Sequence, residues 1–415
     1  MKSRIDDLAI LGGPPAFSEP LHTGRPNIGN RQRLDERFQR ILDSARLTNG
    51  GPFVQEFETL IRTRLGVKHC VATCNATLAL EILAKATGLA GEVLLPSFTF
   101  VASAHALNWV GLSPVFVDID ADSYTIDPRL IERRIRPNTS AILGVDLWGR
   151  PCDREALEGI AARHGLTLLF DASQAMGSFY HDQPIGGRGV AEVLSFHATK
   201  VLNSFEGGAI VTNDDRLAES ACRMRNFGFT DYELVSSPGT NAKMSEVAAA
   251  MGITSLESLD DFIVANRDRY DLYRQELQDL PAVKVSVYDA RDKYNYQYVV
   301  LELDEATAGM RRDDLHGVLH AENVLARRYF YPGCHRMEPY RATPPAGGWD
   351  LPVTERIASR VLCLPTGPSL SHVDVRQICQ IIRLAVTNGH AVRSRGVGQP
   401  PENAKPLWGA EIRST

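Results

Sequence analysis

AEVLSFHATKVLNSFEGGAIVTND is the sequence of residues 191–214. It contains two short runs of the apolar and β-branched residues that favour strands, at residues 193–196 and 209–212. Between them lie Lys200 and the turn Glu206-Gly207-Gly208, which leads into the second run. This arrangement predicts two strands joined by a connection that carries a lysine close to the core.

Lys200 has mainly apolar neighbours, which is unusual for a charged side chain. These neighbours are Leu194, Phe196, Val201, Leu202 and Phe205. Apolar surroundings favour the neutral amine, and a neutral amine attacks carbonyl groups. The segment therefore fits a lysine that forms a Schiff base with pyridoxal phosphate (PLP) or with a carbonyl substrate. It also fits a lysine that extends from a strand edge into water, and the choice depends on the rest of the chain.

The composition excludes several classes of protein. The chain has 415 residues, of which 44% are hydrophobic and 23% are charged, and its net charge of −5 argues against a general nucleic-acid binder. No apolar run approaches the roughly 18–20 residues of a membrane span, and Asp6 and Asp7 interrupt any N-terminal signal sequence. The seven cysteines lack metal-ligand spacing. We therefore predict no metal site, no membrane partner and a cytoplasmic location.

Short strands alternate with helices over the first half of the chain. The predicted strands are HCVATC, GEVLLP, SPVFVDID, SAILGVDLWG, LTLLFDAS and EVLSFHA. This alternation is typical of a mostly parallel, doubly wound α/β sheet that is covered on both faces. We expect an N-terminal arm at residues 1–30, a large domain at 31–265, a smaller α/β domain at 266–390 and a disordered tail at 391–415.

Ligands of such sheets bind outside the carboxyl ends of the strands. Thr77, Phe100, Asp171 and Ser195 all lie at or just beyond predicted strand ends. The tripeptide Asn75-Ala76-Thr77 joins a strand to a helix, and the backbone N–H groups of that first turn are suited to a phosphate. The tripeptide fits a helix start capped by Asn75 equally well.

A PLP site requires a particular set of side chains. The cofactor needs a lysine for its aldehyde, a carboxylate for its pyridinium nitrogen, a flat group on its ring and donors for its phosphate. Lys200, Asp171 and Phe100 supply the first three, and Gln174 follows Asp171 closely enough to contact the ring substituents. Alone, Asp171 reads as a cap or turn residue and Phe100 as a core residue. Their occurrence in one α/β block favours the PLP site.

Five motifs carry a more specific resemblance. They are PSFTF, FDASQAMG, SFHATK, EGGAIVTND and GTNAKMSE, and they occur in this order along the chain. Together they resemble the DegT/StrS-type sugar aminotransferases, which have the PLP fold-type-I architecture. The resemblance covers about residues 30–385, and it implies a large domain with a doubly wound sheet and a smaller C-terminal α/β domain.

The resemblance implies roles for individual residues. Lys200 is then the Schiff-base lysine and Asp171 the partner of the pyridinium nitrogen, and these two are the catalytic residues. The implied cofactor contacts are Ala76, Thr77, Phe100, Asp171, Gln174, Ser195, Lys200 and Asn241. Asn241 is expected to reach into the neighbouring subunit, which implies a homodimer with composite active sites.

The implied activity is transfer of nitrogen from glutamate, by way of PLP, to a keto group on a nucleotide-linked deoxysugar. The segment HATKVLNSFEGG is most similar to enzymes that act on TDP-linked 4-keto-6-deoxyhexoses, so we expect amination at C4. Arg327, Tyr329 and Tyr331 are the expected substrate contacts. Arg25 and Arg328 are further candidate cations for the diphosphate, because a guanidinium matches phosphate geometry.

Several alternatives stay open. One is an aminotransferase for a 3-keto sugar or a keto-cyclitol, and another is a non-catalytic PLP-binding regulator. A sugar dehydratase is a further possibility, but relatives with that activity carry histidine in place of the lysine, so Lys200 argues against it.

Overall fold

The structure is a computed structural model that describes residues 2–289, 291–342, 344 and 348–395. Its strands are β1 Leu21–His22, β2 His69–Thr73, β3 Glu92–Pro96, β4 Ser113–Val117, β5 Thr139–Val145, β6 Thr167–Asp171, β7 Phe179–Tyr180, β8 Gln183–Pro184, β9 Ala191–Ser195, β10 Gly208–Thr212, β11 Val283–Val285, β12 Val299–Leu303, β13 Val324–Leu325 and β14 Val361–Leu364. Each strand expected in the first half of the chain is present.

The helices alternate with these strands and then dominate the second half. They are α1 Arg31–Ser44, α2 Pro52–Leu65, α3 Ala76–Ala86, α4 Ala102–Trp109, α5 Pro128–Ile131, α6 Arg154–His164, α7 Asp215–Met224, α8 Glu246–Glu257, α9 Leu259–Leu277, α10 Glu305–Ala308, α11 Arg312–Ala321, α12 Glu338–Arg341, α13 Pro352–Arg360, α14 His372–Thr387 and α15 Gly389–Ser394. None of these described helices has the length and apolar character that crossing a bilayer requires.

The central sheet has seven strands in the order β2-β10-β9-β6-β5-β3-β4. The pairs β9-β6, β6-β5, β5-β3 and β3-β4 are parallel, whereas β10 is antiparallel to both β2 and β9. The predicted α/β class with a mostly parallel sheet is therefore confirmed. Because β2 runs in the same direction as β9, the carboxyl ends of six strands meet at one edge of the sheet.

Helices cover both faces of this sheet. Val193 and Ile210 pack in one cluster with buried side chains of α3, α4 and α7. Their neighbours Leu194 and Val211 point to the opposite face and pack with α1, α2 and α8. Successive strand residues face opposite sides of a sheet, so strands buried on both sides are apolar throughout. This explains the unbroken apolar runs of the sequence.

The C-terminal third has its own sheet and core. The antiparallel strands β11, β12 and β14 form a three-stranded sheet, and its residues pack with α9, α11 and α14. Leu8 and Phe17 of the N-terminal arm belong to the same core, and β1 pairs in parallel with β13. The arm is therefore ordered on this part of the molecule. The exact domain division stays a prediction.

The expected tail partly falls within the described residues. Residues 391–394 belong to helix α15, and residues 396–415 lie outside the part of the chain that the structure describes.

A buried ion triad ties two strands of the central sheet to α6. Arg154 pairs with Asp146, which follows β5, and its Nη1 lies 2.8 Å from Oε1 of Glu192 on β9. All three side chains are almost completely buried. Glu192 also accepts backbone N–H bonds from Gly186 and Arg188. Buried carboxylates of this kind depend on their cation, because without it they are charged and uncompensated.

We expect Arg154→Met to lower the free energy of unfolding by about 3–5 kcal/mol, since it leaves Asp146 and Glu192 buried without a cation. The matched control is Arg163→Met, which removes an exposed ion pair with Glu132 and should cost less than about 1 kcal/mol. Urea unfolding followed by circular dichroism measures both. Equal midpoints for the two variants would contradict a structural role for the triad.

Candidate active site

A cavity of about 620 Å³ opens at the carboxyl edge of the central sheet. The predicted site residues that line it are Ala76, Thr77, Phe100, Asp171, Gln174, Ser195, Lys200, Arg327 and Tyr329. Two candidates lie elsewhere. Asn241 is exposed and accepts a hydrogen bond from Lys243 at 2.6 Å. The Tyr331 ring is 46% exposed and lies against the guanidinium groups of Arg312 and Arg328.

Lys200 reaches the cavity from the loop that follows β9. Its backbone N–H donates to the carbonyl of His197, which closes a turn, and the next two residues, Val201 and Leu202, are buried. Lys200 itself is half-buried. Burial lowers the pKa of its amine from 10.5 to about 8, although the negative charge of Asp171 opposes this shift. Burial therefore makes the neutral, nucleophilic form of the amine easier to reach than in an ordinary lysine.

Asp171 ends β6 and is held by two donors. The carboxylate is only 6% exposed. The Ser103 hydroxyl donates to Oδ2 at 2.7 Å, and the backbone N–H of Ser173 donates to Oδ1 at 3.1 Å. Ser103 is in turn 2.9 Å from the Thr99 hydroxyl. The side chain is thus oriented by a chain of hydrogen bonds from the start of α4.

Ser103 was not predicted from the sequence as a site residue. The available signal was its spacing, because Thr99 and Ser103 are hydroxyl residues four positions apart in an otherwise apolar segment after a strand end. The spacing alone does not show which carboxylate they contact.

The helix start at α3 gives the cavity an electropositive end. Asn75 is the N-cap, and its side chain accepts from the backbone N–H of Leu78 at 2.8 Å. The N–H groups of Ala76 and Thr77 belong to the first helical turn, which leaves donors without intrahelical partners. The two readings of this tripeptide are therefore compatible, since a capped helix start can also bind an anion.

Gly208 allows the strands and this helix to come together. A Cβ atom on Gly208 would lie 2.5 Å from the backbone nitrogen of Ala76. A larger residue would push the start of α3 away from β10. Ser195, at the end of the adjacent β9, is 7% exposed and lines the same cavity. Ser195 and the α3 donors thus form one anion-binding end.

An aromatic ring and a side-chain amide also line the cavity. Phe100 remains 55% exposed although its ring lies 6.3 Å from that of Phe330. The Gln174 side-chain oxygen accepts from the backbone N–H of Trp148 at 2.7 Å, which fixes the orientation of the amide. This geometry suits a flat ring bound between an aromatic face and a fixed amide.

Groups from the small C-terminal sheet and the N-terminal arm complete the walls. Arg327 lies against the Tyr329 ring with 5.2 Å between the guanidinium carbon and the ring centroid. Arg25 lines the cavity from the arm. Arg328 does not line it and instead pairs with Asp313 at 3.1 Å. The structure therefore brings together two of the three candidate cations.

We expect the Lys200 amine of the apoprotein to titrate near pH 8, as measured by reductive methylation with mass spectrometry from pH 6 to 11. At pH 7 about 10% of such an amine is neutral, against about 0.03% for an ordinary lysine. Asp171→Asn should lower the midpoint further, because the Asp171 charge stabilises the ammonium. N-acetyl-lysine is the reference compound. A midpoint that rises in the Asn variant would contradict the assigned interaction.

Comparison with known proteins agrees with this geometry. The profile of the DegT/DnrJ/EryC1/StrS aminotransferase family matches residues 29–383. The dTDP-4-amino-4,6-dideoxy-D-glucose transaminase of Shigella dysenteriae is 37% identical over 88% of this chain and 99% of its own length. The crystal structure of DesI in the presence of its TDP-sugar product is 51% identical with a TM-score of 0.91, covering 94% of this chain and 99% of DesI.

A second solved structure gives the same result. DesV of S. venezuelae, in complex with a ketimine intermediate, is 31% identical with a TM-score of 0.80 and covers 86% of this chain and 95% of DesV. The agreement extends over nearly the whole length of each relative. The chain therefore belongs to the DegT/DnrJ/EryC1/StrS aminotransferase family.

Proposed function

We propose that this aminotransferase uses PLP to move an amino group from glutamate to the C4 keto group of a TDP-linked 4-keto-6-deoxyhexose. One observation carries the proposal. The Lys200 amine, with its pKa lowered to about 8, shares a cavity with the buried carboxylate of Asp171. PLP chemistry requires both an amine with a lowered pKa and a carboxylate held in place in the same site.

The residues of the cavity fit PLP. The anion-binding end, formed by the start of α3 and Ser195, suits the phosphate. Phe100 offers an exposed ring face, and Asp171 offers a carboxylate that is fixed by Ser103. When bound, PLP supplies an aldehyde that condenses with amines and a ring that accepts electrons when the neighbouring C–H bond breaks.

The side chains have separate tasks in this proposal. Lys200, when neutral, would carry a proton from the reacting carbon of the amino donor to the cofactor, and in amination of the sugar it would carry a proton from the cofactor to the sugar carbon. The Asp171 side chain would hold a proton on the ring nitrogen. Ser103 orients Asp171 through its 2.7 Å hydrogen bond. Burial disfavours the ammonium form of Lys200, and two hydrogen-bond donors hold the Asp171 side chain in place.

The relatives support the choice of substrate. The Shigella relative is named for a TDP-linked sugar with an amine at C4 and a deoxy C6, and DesI is described with a TDP-sugar product. Arg327 and Tyr329 lie on the cavity wall and offer a cation and an aromatic face to such a substrate. Free thiols at all seven cysteines are consistent with a reducing compartment, so we propose that the reaction takes place in the cytoplasm.

Incubation with TDP-4-keto-6-deoxyglucose, glutamate and PLP should give 2-oxoglutarate and a sugar with its amine at C4, identified by mass spectrometry and NMR. Lys200→Ala should abolish turnover, because no other lysine of the described residues lines the cavity, and should also lose the absorption band of a lysine–PLP Schiff base. Arg133→Gln, an exposed residue outside the cavity, is the control. An amine at C3, or turnover of a free keto-cyclitol alone, would refute the substrate assignment.

We also propose that the active unit is a homodimer with composite sites. Asn241 is exposed and does not line the cavity of its own chain. The isolated bridge between Asn241 and Asn226 and the hydrogen bond from Lys243 hold this segment in place. A fixed, exposed polar side chain near an active-site helix is what a contribution to a partner's site requires.

Mixed dimers test this arrangement. Lys200→Ala and Asn241→Ala subunits should each be inactive as homodimers, and mixing should restore activity because one site of the heterodimer has both residues. Subunit exchange is checked by native mass spectrometry of differently tagged chains. Activity of the Asn241→Ala homodimer equal to wild type, or exchange without recovery, would contradict a composite site.

A further inference from the structure

The N-terminal arm lies outside the region that the family profile matches, yet it forms part of the cavity wall. The profile begins at residue 29, whereas the cavity is lined by residues 22–26. A segment that reaches the site without belonging to the shared family region is a candidate for substrate specificity. Its attachments show whether it is held firmly enough for that role.

A buried carboxylate anchors the arm at its start. Glu322 is completely buried at the end of α11. Its Oε1 accepts from the backbone N–H of Ala9, and its Oε2 accepts from the backbone N–H of Ala16, each at 2.7 Å. Lys2 pairs with the same carboxylate at 3.0 Å and donates to the carbonyl of Pro14. One side chain thus fixes three separate points of the arm.

The arm then forms a separate two-stranded sheet with β13. Leu21 and His22 pair with Val324 and Leu325 of β13. The Thr23 hydroxyl lies within hydrogen-bond distance of the carbonyl of Leu325, at 3.1 Å. These contacts place the chain at the mouth of the cavity.

A further set of contacts joins the arm to the Lys200 loop. Gly24 has a φ of +77°, and a Cβ atom there would lie 3.1 Å from Cβ of Thr199. The Asn27 side chain donates to the carbonyl of Val201 at 3.1 Å, and Asn203 donates back to the Asn27 carbonyl at 2.6 Å. The arm is therefore fixed on both sides of Arg25.

Arg25 is an exposed cation on the cavity wall. Arg25 and Arg327 both line the cavity, whereas Arg328 pairs with Asp313 and does not line it. Two guanidinium groups on one cavity indicate a second anionic group, in addition to the one that the start of α3 can bind.

We propose that Arg25 binds the diphosphate of the nucleotide sugar, and that Glu322 is the positioning residue that holds the arm for this contact. This inference rests on the proposed function, because it names the substrate group that one wall of the site recognises. The diphosphate is favoured over the cofactor phosphate because the start of α3 and Ser195 already supply an anion-binding end.

Binding measurements test the contact without turnover. The probes are TDP and thymidine, which differ in the diphosphate alone, titrated into PLP-loaded protein by calorimetry. Arg25→Gln should weaken TDP binding by at least about tenfold and leave thymidine binding unchanged, because one charge-assisted contact is lost. The TDP affinity of Arg25→Lys should lie between those of wild type and Arg25→Gln, since an ammonium keeps the charge but cannot make the two parallel hydrogen bonds of a guanidinium. Arg133→Gln should bind both probes as wild type does.

Kinetics separate this contact from other anion sites. In Arg25→Gln we expect a raised KM for the nucleotide sugar, an unchanged KM for glutamate and an unchanged Kd for PLP. Equal binding of TDP to Arg25→Gln and wild type would overturn the inference, as would a defect confined to glutamate or PLP. Absence of any ketosugar turnover by wild type would instead overturn the proposed function, and the TDP comparison would still decide the role of Arg25.

Glu322→Gln tests the positioning role. It keeps the shape of the side chain but removes the charge that pairs with Lys2, and we expect a several-fold weaker affinity for TDP with thymidine unchanged. In the Arg25→Gln variant, the Glu322→Gln substitution should cause no further loss of TDP affinity, because Glu322 acts through Arg25. Additive losses of TDP affinity in the double variant, or equal losses for thymidine, would overturn the positioning role. The unfolding midpoint of each variant confirms that it is folded.

Discussion

Two opposing effects set the pKa of the Lys200 amine, namely its burial and the negative charge of Asp171, and the site depends on their balance. Removal of the amine from water lowers its pKa to about 8, and the Asp171 charge limits the shift. A more apolar site would make the amine easier to deprotonate. The hydrogen bonds from Ser103 and Ser173 hold the Asp171 side chain in place without adding a positive charge near the lysine.

The sheet makes this balance possible by bringing distant segments to one edge. Asp171 ends β6, Lys200 follows β9, and Phe100 and Ser103 follow β3. Parallel strands place their carboxyl ends together, so residues far apart in the chain become neighbours. The start of α3 lies at the same edge because it follows β2, and Gly208 of the antiparallel β10 allows the two backbones to approach closely at Ala76. The buried triad around Arg154 then ties β9 and the segment after β5 to α6 behind the cavity.

The N-terminal arm links the Lys200 loop with β13. It pairs with β13 on one side and exchanges hydrogen bonds between Asn27 and the loop on the other. The arm therefore connects β13 with Thr199, the residue before Lys200. In the proposed function, substrate groups bound at the arm would thus contact a segment that is attached to the Lys200 loop.

Local sequence patterns were sufficient to predict the class of fold and to select most of the residues that the structure brings to one cavity. The strands of the sheet were predicted correctly because strands buried on both faces are apolar throughout, and Lys200 stood out because a cation is rare among apolar neighbours. Long-range contacts decided the rest. Ser103 orients Asp171, and Glu322 anchors the arm. Tyr331 packs on two arginines instead of lining the cavity. Each of these contacts joins side chains that meet only after folding. Such contacts cannot be predicted from the spacing of residues in the sequence. They depend on how whole strands and helices are placed in the fold, and not on neighbouring residues in the chain.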